Sequence, residues 1–170
     1  MSEVSVVRVE DQGMILLRGE MGALDGVLGA VGLPVPEMRR IGRGAGRAVA
    51  WMSPDEALVL CPTSEAVEVA RRMTDAAGDA FVTVADVSDA RAVFDLRGPW
   101  ADEALAKLTP ADLSAVEEDE MRRSRLAQVA GAFWREEGGW RIVCFRSVGT
   151  YVHDLLDNAV AGGRLAPQPS

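Results

Sequence analysis

Few residues in this chain are of a type and spacing suited to chemistry. There is one histidine, His153, and there are two cysteines, Cys61 and Cys144. One glycine-rich stretch, Gly42-Arg43-Gly44-Ala45-Gly46, lies among Arg39, Arg40, Arg43 and Arg47. A dinucleotide fingerprint needs Gly-x-Gly-x-x-Gly between a strand and a helix, so that backbone amides face a pyrophosphate. Here the spacing is Gly-x-Gly-x-Gly and the residues that follow are strand-like. A phosphate loop also needs Gly-Lys-Ser/Thr, which does not occur. The four arginines are left as a solvated loop or as candidate partner contacts. His153 has no Gly-x-Ser-x-Gly elbow to pair with. Neither cysteine belongs to a Cys-x-x-Cys pair, so a Cys/His zinc site has no material. Each lies in an apolar run, where a thiol behaves as a small hydrophobe with a raised pKa. No residue is assigned a catalytic, cofactor-binding or metal-ligating role.

The elements that position these residues follow from periodicity and punctuation. Residues 14–18 read as a strand, and Leu24, Val27, Leu28 and Val31 follow a helical stripe ended by Gly32, Pro34 and Pro36. Residues 37–46 read as a Gly/Arg-rich loop or irregular edge. Strand-like runs at 47–52 and 56–61 flank Ser53-Pro54-Asp55 and predict a hairpin. Pro62 stops the second run, Thr63 or Ser64 offers a cap, and Ala66, Val69, Ala70, Met73 and Ala77 share a helix face. A strand is expected at 81–85. In the second half, 91–97 alternates, with Phe94 and Leu96 on one face and Asp95 and Arg97 on the other. Pro99 begins a helix carrying Ala101, Ala104, Leu105 and Leu108. An acidic run at 117–120 gives way to Arg122, Arg123 and Arg125. Strands are expected at 126–134 and 140–145, and Val148, Val152, Leu155, Leu156 and Ala159 mark the last helix.

The two halves repeat. Trp51, Cys61 and Ser64 recur 83 positions on as Trp134, Cys144 and Ser147, while Leu17-Arg18-Gly19 recurs 79 on as Leu96-Arg97-Gly98. This predicts an α+β fold of two internally duplicated β-α-β-β-α-β units, the split βαβ arrangement of ferredoxin-like folds, with mostly antiparallel sheets. The halves are expected at 1–86 and 87–163 within one compact whole, with 164–170 as a flexible tail. In this register His153 falls opposite Ala70, which favours packing over catalysis.

Composition limits the partners. Apolar residues make up 48% of the 170, enough for a packed core, and the net charge is −8. That sign disfavours nucleic acid and anionic membranes, which both need a positive field. The N-terminal residues lack a basic and then apolar leader, and no stretch approaches 18 apolar residues. A cytoplasmic protein with reduced thiols is expected.

The segments DVSDARAVFDLRGPWADEALAKL (86–108), RRSRLAQVAGAFW (122–134) and WRIVCFRSVGTYVHDLLDNA (140–159) resemble the gamma-subunit family of heterotetrameric sarcosine oxidases. That family is similar in fold to the folate-binding domains of glycine-cleavage aminomethyltransferases. The resemblance implies a non-catalytic subunit with no cofactor of its own, docked on larger alpha, beta and delta subunits. Those subunits would carry FAD, FMN, NAD and tetrahydrofolate, and the complex would oxidatively demethylate sarcosine to glycine. A stand-alone folate-binding or one-carbon-carrying module is the alternative.

Overall fold

A computed structural model of the chain describes residues 3–165. In chain order the elements are β1 (Ser5–Arg8), β2 (Gly13–Arg18), α1 (Asp25–Gly29), β3 (Ile41–Gly44), β4 (Arg47–Ser53), β5 (Glu56–Cys61), α2 (Ala66–Ala77), β6 (Thr83–Asp86), β7 (Arg91–Arg97), α3 (Ala101–Ala106), β8 (Arg122–Leu126), β9 (Val129–Glu136), β10 (Gly139–Phe145) and α4 (Gly149–Ala161). They form two five-stranded sheets, ordered β3-β4-β5-β2-β6 and β1-β7-β10-β9-β8. Every strand pairing is antiparallel. The mixed α+β architecture with a duplicated ferredoxin-like unit is thus present.

The chain divides into two compact units. One holds Glu10–Ala90 together with Asp119–Met121; the other holds the described residues up to Val9, Arg91–Glu118, and those from Arg122 onward. The repeat in the sequence predicts halves at 1–86 and 87–163, with the N-terminal residues in the first half. In the structure the N-terminal strand β1 instead lines up on β7, with Ser5 opposite Arg97 and Arg8 opposite Phe94. In the first unit the corresponding place beside β2 is taken by β6, with Thr83 opposite Arg18 and Asp86 opposite Ile15. The second unit therefore takes its fourth strand from the start of the chain. Of the tail expected at 164–170, Arg164 is held by Glu103 at 2.7 Å, and residues 166–170 lie outside the described ones.

Each unit closes its own core. In the first, Ile15 and Leu17 of β2, Val49, Val59 and Cys61 face Val69 and Met73 of α2. These positions recur every second residue in the strands and every third or fourth in the helix, as burial on one face demands. In the second unit Phe94 and Leu96 of β7 meet Phe133, Trp140, Val152 and Leu156. Phe133 and Trp140 pack edge to face, centroids 5.6 Å apart. The 83-residue offset holds for whole elements, because α2 begins at Ala66 and α4 at Gly149, each after a 3-10 turn at Thr63–Glu65 or Arg146–Val148. Neither Thr63 nor Ser64 caps α2: the turn occupies both, and no side-chain cap is formed.

Several boundaries differ from those the sequence suggests. The strand expected at 126–134 begins at Val129 and runs on to Glu136 as β9, while Leu126 ends β8 and Ala127 turns between the two with φ +51. Ile41–Gly44 is an edge strand paired to β4. α3 starts at Ala101, two residues after Pro99. Phe81 stands outside β6 and is fully exposed.

Candidate functional site

The Gly/Arg segment folds as the β3–β4 hairpin. Ala45 and Gly46 both have positive φ, +50 and +73, which is the geometry of a two-residue hairpin turn. Its glycines are small because the hairpin presses on the 32–34 loop. A Cβ on Gly42 would stand 2.7 Å from Pro34 Cγ, and one on Gly44 would strike the Gly32 carbonyl. The glycines therefore accommodate protein, and their backbone forms no cradle for a phosphate.

The four arginines do not converge on one point. Arg47 Nε donates to Glu65 at 3.0 Å, and its Nη1 donates to the Val31 carbonyl at 3.1 Å. Arg43 Nε donates to Asp119 Oδ1 at 2.8 Å across the surface. The Arg40 backbone pairs with Glu120 in an isolated antiparallel β-bridge, and its carbonyl accepts from Trp51. Arg39 is exposed, with φ +63, in a turn closed by Arg40 N–H donating to the Glu37 carbonyl at 2.9 Å.

The thiols and the imidazole are placed by packing. Cys61 and Cys144 are 4% and 3% exposed, and burial pushes both thiols up to about 11. At neutral pH they stay protonated and are poor nucleophiles. His153, on α4, stacks on the buried ring of Phe94 at 5.5 Å, and its Nε2 lies 3.7 Å from Asp157. Among the described residues no serine, cysteine or threonine hydrogen-bonds to it, and the arrangement is that of a packed surface imidazole.

Two ionic clusters in the second unit have no counterpart in the sequence reading. Asp95 on β7 accepts from Arg141 Nε at 2.8 Å and Arg141 Nη2 at 3.0 Å, and from Arg97 at 2.8 Å. Burial would raise the Asp95 carboxyl, but the two guanidinium groups outweigh it and hold it below its ordinary value. Trp140 Nε1 donates to Asp102 Oδ1 at 2.6 Å, while Arg135 lies 4.3 Å over the Trp140 ring and donates to the carbonyls of Leu113 and Val116. Alternation along β7 does point Asp95 and Arg97 to the same face, but their partners come from a strand more than forty residues on.

One open cleft of about 510 Å³ is lined by Glu3, Pro99, Trp100, Val160 and Arg164. Beside it, Lys107 Nζ donates to the carbonyls of Ala159 and Gly163 and sits 5.7 Å over the Trp100 ring. These contacts tie the end of α4 to α3, and no nucleophile or acid/base pair is aimed into the space. Among the described residues no three His, Cys, Asp or Glu side chains gather as metal ligands would, and no helix is long and apolar enough to cross a membrane.

Comparison with known proteins is consistent with this packing-dominated picture. Residues 22–162 match the model of the sarcosine oxidase, gamma subunit family. Sarcosine oxidase subunit gamma of Corynebacterium sp. strain P-1 is 36% identical over 134 residues, and that of strain U-96 is 35% identical over 131. Both alignments take in 75% of this chain but 65% and 63% of the relatives, so the chain spans just under two thirds of their length. The structure superposes with a TM-score of 0.87 and 26% identity on a chain of heterotetrameric sarcosine oxidase from Corynebacterium sp. U-96, covering 98% of this chain and 88% of that one. A likeness in fold extends to glycine cleavage system aminomethyltransferase T from Bartonella henselae, with a TM-score of 0.71 at 13% identity over 92% of this chain and 46% of that one. The chain belongs to the sarcosine oxidase gamma subunit family.

Proposed function

We propose that this chain is the non-catalytic gamma subunit of a heterotetrameric sarcosine oxidase and supports oxidative demethylation of sarcosine to glycine by larger, flavin-carrying subunits. The observation that carries this reading is the superposition over 98% of the chain on a chain from such a heterotetramer, together with the family match. The chemistry of the chain's own residues agrees with it. The buried thiols are held protonated, the imidazole is packed on Phe94, and Arg43 and Arg47 beside the glycine hairpin are paired with Asp119 and Glu65.

In this reading the cofactors FAD, FMN, NAD and tetrahydrofolate belong to the alpha, beta and delta partners, and the complex works in the cytoplasm. This chain contributes docking surface and helps to fix the larger subunits in place. The Gly42–Gly46 hairpin packs on the 32–34 loop and leaves no cradle for a nucleotide. The aminomethyltransferase likeness, at 13% identity, speaks to the fold, and no folate site is proposed on this chain.

Expression of the larger subunits with and without this chain tests the proposal. The isolated chain is expected to show no sarcosine turnover, and its omission is expected to reduce the yield of assembled, peroxide-producing complex. Full assembly and activity in its absence would contradict the supporting role.

A further inference from the structure

The first unit brings its own two ends together. Met14 N–H donates to Ser88 Oγ at 2.9 Å and Val87 N–H donates to the Met14 carbonyl at 2.9 Å, one step beyond the pairing of Ile15 with Asp86. The arms that lead away from this meeting point are also tied down. Thr63 N–H donates to Asp11 Oδ1 at 2.9 Å, Gln12 Nε2 donates to the Cys61 carbonyl at 3.3 Å, and Ala90 N–H donates to the Val87 carbonyl at 2.9 Å. The two arms then pair at once. Val9 N–H donates to the Val93 carbonyl at 2.9 Å, and the antiparallel register runs from Arg8 opposite Phe94 to Ser5 opposite Arg97. β1 and β7 are the two strands of a hairpin whose connection is the folded stretch Glu10–Ala90.

The second unit depends on that hairpin. β1 supplies Val4, 4% exposed, to its core, packs Val6 against it and covers the edge of β7. The first unit has no such dependence, because its matching strand β6 follows α2 after a short connection. Pairing β1 with β7 across an unfolded connection closes a loop of about eighty residues, whereas a folded first unit shortens the effective connection to about ten. Closure entropy grows as three halves of the logarithm of loop length, so a folded first unit favours the pairing roughly twentyfold.

We propose that the first unit templates the second. When folded it holds residues 9–12 beside residues 87–90 and so closes the β1–β7 hairpin; when it opens, the second unit loses the advantage that keeps its fourth strand in place. This coupling belongs to the chain itself and goes beyond the subunit reading.

The two thiols report on the units separately, since Cys61 lies in the first core and Cys144 in the second. Iodoacetamide labelling of the full-length chain in urea, read by peptide mass mapping, tests the coupling. Met73→Ala removes a fully buried side chain from the first core. At a urea concentration where this variant labels fully at Cys61 and the wild type does not, labelling of Cys144 is expected to rise roughly tenfold to twentyfold over the wild type. Val69→Ala, a smaller loss in the same core, repeats the test if Met73→Ala does not fold. A Ser5→Cys/Arg97→Cys disulfide joins β1 to β7 directly, because opposed residues of antiparallel strands have Cα atoms about 4.5–5.5 Å apart. In that background Met73→Ala is expected still to open Cys61 but to change Cys144 labelling less than about twofold. A Cys144 rate that stays at the wild-type value while Cys61 is open would overturn the templating. So would a rise that the disulfide leaves undiminished, since the coupling would then run outside the β1–β7 hairpin.

Discussion

Asp95 on β7 and Arg141 on β10 sit directly opposite each other in the register and share a two-pronged ion pair of 2.8 and 3.0 Å. Shifted back by 79 and 83 residues, the same cross-strand position in the first unit is Leu16 opposite Leu58. One repeat fills the site with apolar side chains and the other with a pair of charges. Removing one member leaves a half-buried charge without its partner, which costs more than the pair contributes. Asp95→Leu alone is expected to destabilise by about 1–3 kcal/mol, and so is Arg141→Leu alone. The double variant, which copies the other unit, is expected to recover most of the loss. Urea unfolding of the four proteins checks this; an additive double variant would show that the pair is not coupled.

The same pair gives a pH dependence. The folded Asp95 carboxyl lies below its unfolded value of about 3.9, because Arg141 and Arg97 outweigh its burial. The unfolded chain therefore takes up the proton first as pH falls. The stabilisation is full at neutral pH and is lost as pH drops through the folded value. Melting curves between pH 6 and pH 3 are expected to show a steeper loss of Tm for the wild type than for Asp95→Asn, with other carboxylates common to both. Parallel curves would assign the acid response to other groups.

Gly98 marks where the N-terminal strand closes the second sheet. Its φ is +136, and a Cβ there would lie 2.7 Å from Val4 Cα and against the Glu3 carbonyl. Its repeat partner Gly19 faces the Phe81 carbonyl just before β6, the strand that fills the matching place in the other unit. Gly98→Ala is expected to cost about 2–4 kcal/mol through strain and displacement of β1. Gly46, at φ +73, lies close to the left-handed helical region and has open space around it, so Gly46→Ala is expected to cost only about 1 kcal/mol. Equal effects in thermal unfolding would contradict the close approach.

The buried thiols lead to a chemical expectation. With both raised to about 11 by burial, Cys61 and Cys144 are expected to resist iodoacetamide and hydrogen peroxide at pH 7.5 in the native chain and to react fully once it is unfolded. Intact-mass measurement before and after denaturation reads this directly. Rapid labelling of either thiol in the folded state would show local opening.

The repeat was legible wherever pattern and turn chemistry act over short distances. The hairpins around Ser53–Asp55 and Glu136–Gly139, the helix stripes beginning at Ala66 and Gly149, and the inward faces of Phe94 and Leu96 all follow from local periodicity. β1 did not, because its four residues gain their strand from β7, some ninety positions away. β3 was hidden by glycines of low strand propensity, which are there because the hairpin lies on Gly32 and Pro34. The arginines show the same limit. Their types were plain, but whether each was spent or left over depended on Glu65, Asp119 and the turn at Arg39, which only the fold brings into place.

Affinity purification of the tagged chain from cells co-expressing the larger subunits, followed by subunit stoichiometry and an absorption spectrum, distinguishes a colourless docking subunit from an independent protein. A docking subunit is expected to bring down a yellow complex with this chain at one copy per flavoprotein partner, and the isolated chain is expected to show no visible absorbance. A chain that purifies alone under those conditions, or that carries a flavin by itself, would contradict the docking role.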